Sequence, residues 1–124
     1  MKKFLLAMFA VAAALTAQAE IVLARGGKSD YTIIYDAKTP DVLVDPAVRD
    51  LAETLREITG AEFPIKAQAA AEGPKIHIGV TPPGDKDDFA SRERRIKSVG
   101  SDLYIYGDRR YGTAGAIYNF LRDF

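Results

Sequence analysis

The chain contains no cysteine and only one histidine, His77, in its 124 residues. Without cysteine no disulfide can form, so packing alone must hold the fold together. One histidine without cysteine also argues against a zinc site, whose ligands are mainly His and Cys side chains. A Ser–His catalytic arrangement lacks support, because no Gly-x-Ser-x-Gly elbow accompanies the histidine. We therefore predict no metal and no cofactor, and we interpret His77 as an exposed or half-covered strand residue rather than a ligand or catalytic group.

Neither sign of charge prevails. The 17 basic residues balance 17 acidic ones, and removal of the N-terminal segment described below leaves 15 against 17. Nucleic-acid binding needs a concentrated basic surface, so no nucleic-acid partner is expected. The one basic cluster has an acid within it and predicts a solvated loop leading into an edge strand rather than an anion site. Its members are Arg92, Glu93, Arg94, Arg95 and Lys97.

A long hydrophobic run is also missing outside the N-terminus. There, two lysines precede the apolar segment Phe4–Leu15, and the triplet Ala-Gln-Ala ends at Ala19. The apolar segment is shorter than the roughly 20 residues needed to cross a bilayer. The pattern is typical of a signal peptide, residues 1–19, cleaved after Ala19. We therefore expect a secreted or periplasmic protein without membrane association after cleavage, whose mature chain, residues 20–124, is one domain.

The pattern of apolar residues predicts the order β-β-α-β-β-β-β-α. Two helices in this order can cover one face of a mixed sheet, which predicts an α+β fold, a two-layer sandwich with both helices on one face. The predicted strands are Ile21–Ala24, Tyr31–Tyr35, Phe63–Ala67, Lys75–Val80, Arg95–Val99 and Leu103–Tyr106. Residues 81–92 contain three aspartates and are predicted to form a long solvated loop, because the ligand spacing of a calcium loop is missing.

The first helix is marked at both ends. Asp45 is predicted to be its N-cap and Pro46 its first helical residue. Gly60 is predicted to end it in the left-handed conformation. The apolar stripe that should face the core comprises Val48, Leu51, Ala52, Leu55 and Ile58.

The last 22 residues contain the pattern Gly107-x4-Gly112-Thr113 between a strand and a helix. This is the setting of a phosphate-binding loop, but the lysine that precedes the threonine in such loops is missing. We therefore predict a structural role for these residues. Gly107 ends the strand, Gly112 permits a tight entry into the helix, and Thr113 is its candidate N-cap.

The C-terminal helix is predicted to be apolar on two sides. One stripe comprises Ala114, Ile117, Tyr118 and Leu121. Phe120 and Phe124 form a second row, which is more apolar surface than one sheet face requires. We interpret this second row as a docking surface for a further domain.

Three tyrosines near the end of the chain allow two interpretations. Tyr104 and Tyr106 share one face of the last predicted strand, and Tyr111 lies in the turn that follows. Sugar rings could stack on these side chains, whose rings are apolar and whose hydroxyls are polar. Alternatively, the tyrosines pack beneath a helix or against a neighbouring domain, and this second interpretation is favoured.

Four segments together resemble a known family. They are SDYTIIYD, LAETLREITGAEFPI, KIHIGV, and SVGSDLYIYG with the following YGTAGAIYNFLRDF. The most specific pieces are Ile58–Ala61 and the Gly-Thr…Tyr-x-Phe-Leu run that begins at Gly112. Nearly all of the chain from Glu20 is similar to the N-terminal accessory domain of large carbohydrate-active enzymes, among them α-glucuronidases and family-20 β-N-acetylhexosaminidases.

The resemblance implies a small α/β sandwich that has no catalytic residues and precedes a catalytic (β/α)8 barrel, which this chain lacks. The expected function is that of a non-catalytic accessory domain of a secreted glycoside hydrolase, with the barrel as its partner. One departure is visible. The family often has Arg-Gly-Thr at the helix entry, whereas here Tyr111 separates Arg110 from Gly112, so the resemblance assigns no role to Arg110.

Two alternatives stay open. The chain could be a free-standing exported module that binds a polysaccharide through the tyrosines. A small enzyme in its own right has less support, because the 17 acidic residues lie mostly in predicted helix surfaces and turns rather than in a recognisable catalytic pair.

Overall fold

A computed structural model describes residues 21–36, 41–67 and 72–123 of the chain. The predicted signal peptide with its cleavage site at Ala19 lies outside the described residues. Phe124 lies outside them too, and Arg110 is described only as a helical position.

Over the described residues the fold is a five-stranded mixed sheet with two helices packed on one face, which confirms the predicted α+β two-layer sandwich. The strands are β1 (Thr32–Ile34), β2 (Ile65–Lys66), β3 (Lys75–Ile78), β4 (Arg94–Val99) and β5 (Asp102–Gly107), and the helices are α1 (Val44–Thr59) and α2 (Arg109–Asp123). The order across the sheet is β2-β1-β3-β5-β4. The first four strands of that order run parallel, and β4 pairs antiparallel with β5, as the predicted hairpin requires.

The core lies between the sheet and the helices. Ile33, Ile76 and Leu103 lie side by side on β1, β3 and β5 and are almost fully buried. The helices cover them with Leu51 and Leu55 of α1 and with Ala116, Ile117 and Phe120 of α2. Burial of such side chains contributes about 1.5–3 kcal/mol each, so this layer can hold a chain without disulfides.

The N-terminal end of α1 differs from the prediction. The helix begins at Val44, and the carboxylate of Asp41 accepts hydrogen bonds from the backbone N–H groups of Leu43 (2.9 Å) and Val44 (3.0 Å). The predicted N-cap, Asp45, already lies inside the helix, where its carboxylate accepts a hydrogen bond from the Tyr35 hydroxyl. The assignment of Asp45 was wrong because Asp41 reaches forward to the first helical amides.

The C-terminal end of α1 agrees with the prediction. Gly60 has φ 78° and donates its N–H to the carbonyl oxygen of Arg56 over 2.8 Å. Only glycine enters this left-handed conformation without steric cost. The helix therefore stops where the sequence indicates.

Three apolar predictions were wrong. Ile21–Ala24 is not a strand, although Ile21 and Leu23 are buried in the core. The strand predicted to end at Val80 ends at Ile78, and Val80 is 47% exposed. Ile58 is 48% exposed because it lies in the last turn of α1, beyond Leu55, the last residue of this helix that is buried.

Gly107 and Gly112 have the structural role that the sequence predicts. A Cβ atom at either position would overlap the carbonyl oxygen of Glu93, the residue before β4. That oxygen accepts a hydrogen bond from the N–H of Asp108 over 2.9 Å. The two glycines therefore let the start of β4 pack directly against the junction of β5 and α2. Thr113 is not the N-cap, because α2 begins at Arg109.

Candidate functional site

His77 lies on the sheet face that points away from the helices. Its ring stacks on the ring of Tyr104, with centroids 4.3 Å apart and planes 13° apart. Its Nε2 atom lies 2.9 Å from Oδ2 of Asp102, whose other carboxylate oxygen accepts the backbone N–H of Lys75. The His77 side chain is 14% exposed, so it is the half-covered strand residue that the sequence predicts.

The long loop between β3 and β4 is attached to the same face by an ionic network. The carboxylate of Asp85 accepts a hydrogen bond from the hydroxyl of Tyr106 and lies 3.2 Å from the guanidinium of Arg95. Arg95 also contacts the Glu93 carboxylate at 2.7 Å and donates to the carbonyl oxygen of Lys86 at 2.8 Å. Asp85 therefore holds the loop to the sheet, whereas the prediction described the entire loop as solvated.

These contacts shift several pKa values. The hydrogen bond from Tyr106 is the main reason that the pKa of Asp85 falls to about 2, with Lys86 N–H and Arg95 assisting. Burial, followed by the hydrogen bond to the Asp85 carboxylate, raises the pKa of Tyr106 to about 12. The contact with Arg95 lowers the pKa of Glu93. The four side chains of the network therefore keep their ordinary charges near neutral pH, as a structural role requires. They are Asp85, Glu93, Arg95 and Tyr106.

The three tyrosines do not form an exposed stacking surface. Tyr106 is 1% exposed and meets the ring edge of Phe89 from the long loop, and Tyr104 is 9% exposed against His77. Tyr111 is exposed, but it lies in the first turn of α2, where the Arg92 guanidinium sits 4.9 Å from its ring centre. Tyr104 and Tyr106 therefore offer little ring surface to a sugar, because the rings of His77 and Phe89 pack against them.

Phe120 does not form part of an external docking surface. Its side chain is 1% exposed and belongs to the core between α2 and the sheet. The stripe predicted to face the core is correct for Ala114 and Ile117 but wrong for Tyr118, which is 45% exposed and donates its hydroxyl to Asp50 of α1 over 2.6 Å. Ala114, Ile117 and Phe120 therefore face the core together, whereas Tyr118 faces outward.

A cleft lies at the carboxyl ends of the parallel strands. It has a volume of about 530 Å³ and is bordered by the ends of β1, β3 and β5 and by the first turns of both helices. After β1 the chain continues to β2 on one side of the sheet, whereas after β3 it continues to β4 and β5 on the other side. In open parallel sheets this divergence leaves the crevice in which ligands bind.

The cleft combines polar groups of opposite character with apolar walls. Asp36 and Asp41 line one side, and Arg109 and Thr113 of α2 line another. Ile34, Val44, Ile78 and Val80 supply apolar surface. Sequence analysis missed this site, because its residues follow different strands and only the pairing of β1 with β3 brings them together.

Thr113 is unusual within this cleft. Its side chain is 3% exposed, and its N–H donates to the carbonyl oxygen of Asp108 over 3.1 Å. Within the described part of the chain its hydroxyl makes no hydrogen bond.

Comparisons with known proteins leave the family open. No family model matches the chain, and none of the curated proteins matches it either.

Among residues 21–36, 41–67 and 72–123, no helix is long and apolar enough to cross a membrane. The same residues contain no group of three or more His, Cys, Asp or Glu side chains placed to hold a metal ion.

Proposed function

We propose that the chain is a non-catalytic accessory domain of a secreted carbohydrate-active enzyme and packs against a catalytic (β/α)8 barrel outside this chain. The observation that carries the proposal is the placement of the four segments that resemble this family. They fall in sequence on β1, on α1 with β2, on β3, and on β4, β5 and α2. The segments that carry the resemblance therefore lie on several elements of the fold rather than in one motif, although they include only Ser98 and Val99 of β4.

The roles of the ionisable side chains on the open sheet face support the proposal. Asp85, Arg95 and Glu93 attach the long loop, and Asp102 holds the end of β3 through the Lys75 N–H while contacting His77. Each of these groups makes a contact that shapes the fold. These structural roles agree with the non-catalytic role that we propose.

The coding sequence beyond the Phe124 codon tests the proposal first. An open frame that continues into the alternating strand and helix pattern of a (β/α)8 barrel supports it. A native stop codon with no barrel-encoding gene beside it overturns the proposal.

The product of such an open frame permits a second test. Deletion of residues 20–124 should leave the catalytic residues of the barrel in place but lower its thermal midpoint and its soluble yield, since the barrel surface that the domain covers would become exposed. Glycosidase assays of the chain alone, against xylan fragments carrying glucuronic acid and against chitin fragments, should show no hydrolysis. Hydrolysis by the purified chain alone would contradict the non-catalytic role.

A further inference from the structure

We draw no further inference here: the strongest candidate, the exposed patch on α2 that carries Tyr111 and Tyr118, has nothing in the structure to show what covers it, since the Arg92 guanidinium packs against the first ring and the hydroxyl of the second donates to Asp50.

Discussion

Substitution of Phe120 tests most directly which face of α2 packs against the core of the domain. Its ring is 1% exposed and lies in the core with Ile117, Ile105 and Leu55. Truncation of a buried Phe to Ala removes its transfer free energy and leaves a cavity, which together cost about 3–5 kcal/mol. A domain of this size has a free energy of unfolding of roughly 5–15 kcal/mol. Phe120→Ala should therefore remove about a fifth or more of the total stability.

The assay is urea and thermal unfolding of the purified chain followed by circular dichroism. Since 1 kcal/mol shifts the thermal midpoint of such a domain by about 4–8 °C, we expect a decrease of roughly 12–40 °C for Phe120→Ala. Phe120→Leu retains part of the packing and should lie between this variant and the wild type. Tyr118→Ala, on the exposed side of the same helix, should cost about 1 kcal/mol. Equal effects of Phe120→Ala and Tyr118→Ala would refute the core position and favour an external docking role for Phe120.

Three further predictions concern the glycines and the ionic network. Gly112→Ala should lower the thermal midpoint sharply, because the new methyl group overlaps the Glu93 carbonyl oxygen. At Gly115 the nearest atoms belong to the flexible Arg94 side chain, which can move aside, so Gly115→Ala should change the midpoint little. Gly60→Ala should cost about 1–2 kcal/mol in urea unfolding, since an L-residue must then adopt the left-handed conformation, and an unchanged midpoint would contradict the assigned helix end. The folded-state pKa of Asp85 is depressed to about 2, so its contribution to stability is present above its ordinary value of 3.8 and is lost as the pH falls toward 2. The urea midpoint should therefore fall in this window by less in Asp85→Asn than in the wild type, and identical pH profiles of the two proteins would refute the role of Asp85.

Local features of the sequence predicted the elements well. Gly60 ends α1 because the left-handed conformation is a property of that residue alone, and the β4–β5 hairpin follows from two neighbouring strands and a short turn. The start of α1 was missed because Asp41 and Asp45 are both good capping residues. The choice between them depends on Tyr35, whose hydroxyl donates a hydrogen bond to the Asp45 carboxylate. Tertiary contacts made that choice.

The candidate site was much less predictable. Asp36 and Arg109 are far apart in the sequence, and no periodicity places β1 between β2 and β3. The rotation of α2 likewise depends on what packs beneath it, so Phe120 could not be assigned to the core from the helical pattern alone. The buried hydroxyl of Thr113 is visible only when its neighbours are known.

The two outer strands determine how the sheet behaves toward other copies of the chain. β2 has only two residues and follows Pro64, which has no N–H to offer to a further strand, and β4 at the other side carries Arg94, Arg95 and Lys97. Short edges, proline and like charges all discourage the addition of a strand from another molecule. The basic cluster thus protects the edge strand β4 from aggregation, rather than binding a ligand. At high concentration, replacing Arg94 and Lys97 with threonine would turn β4 into a template for intermolecular pairing.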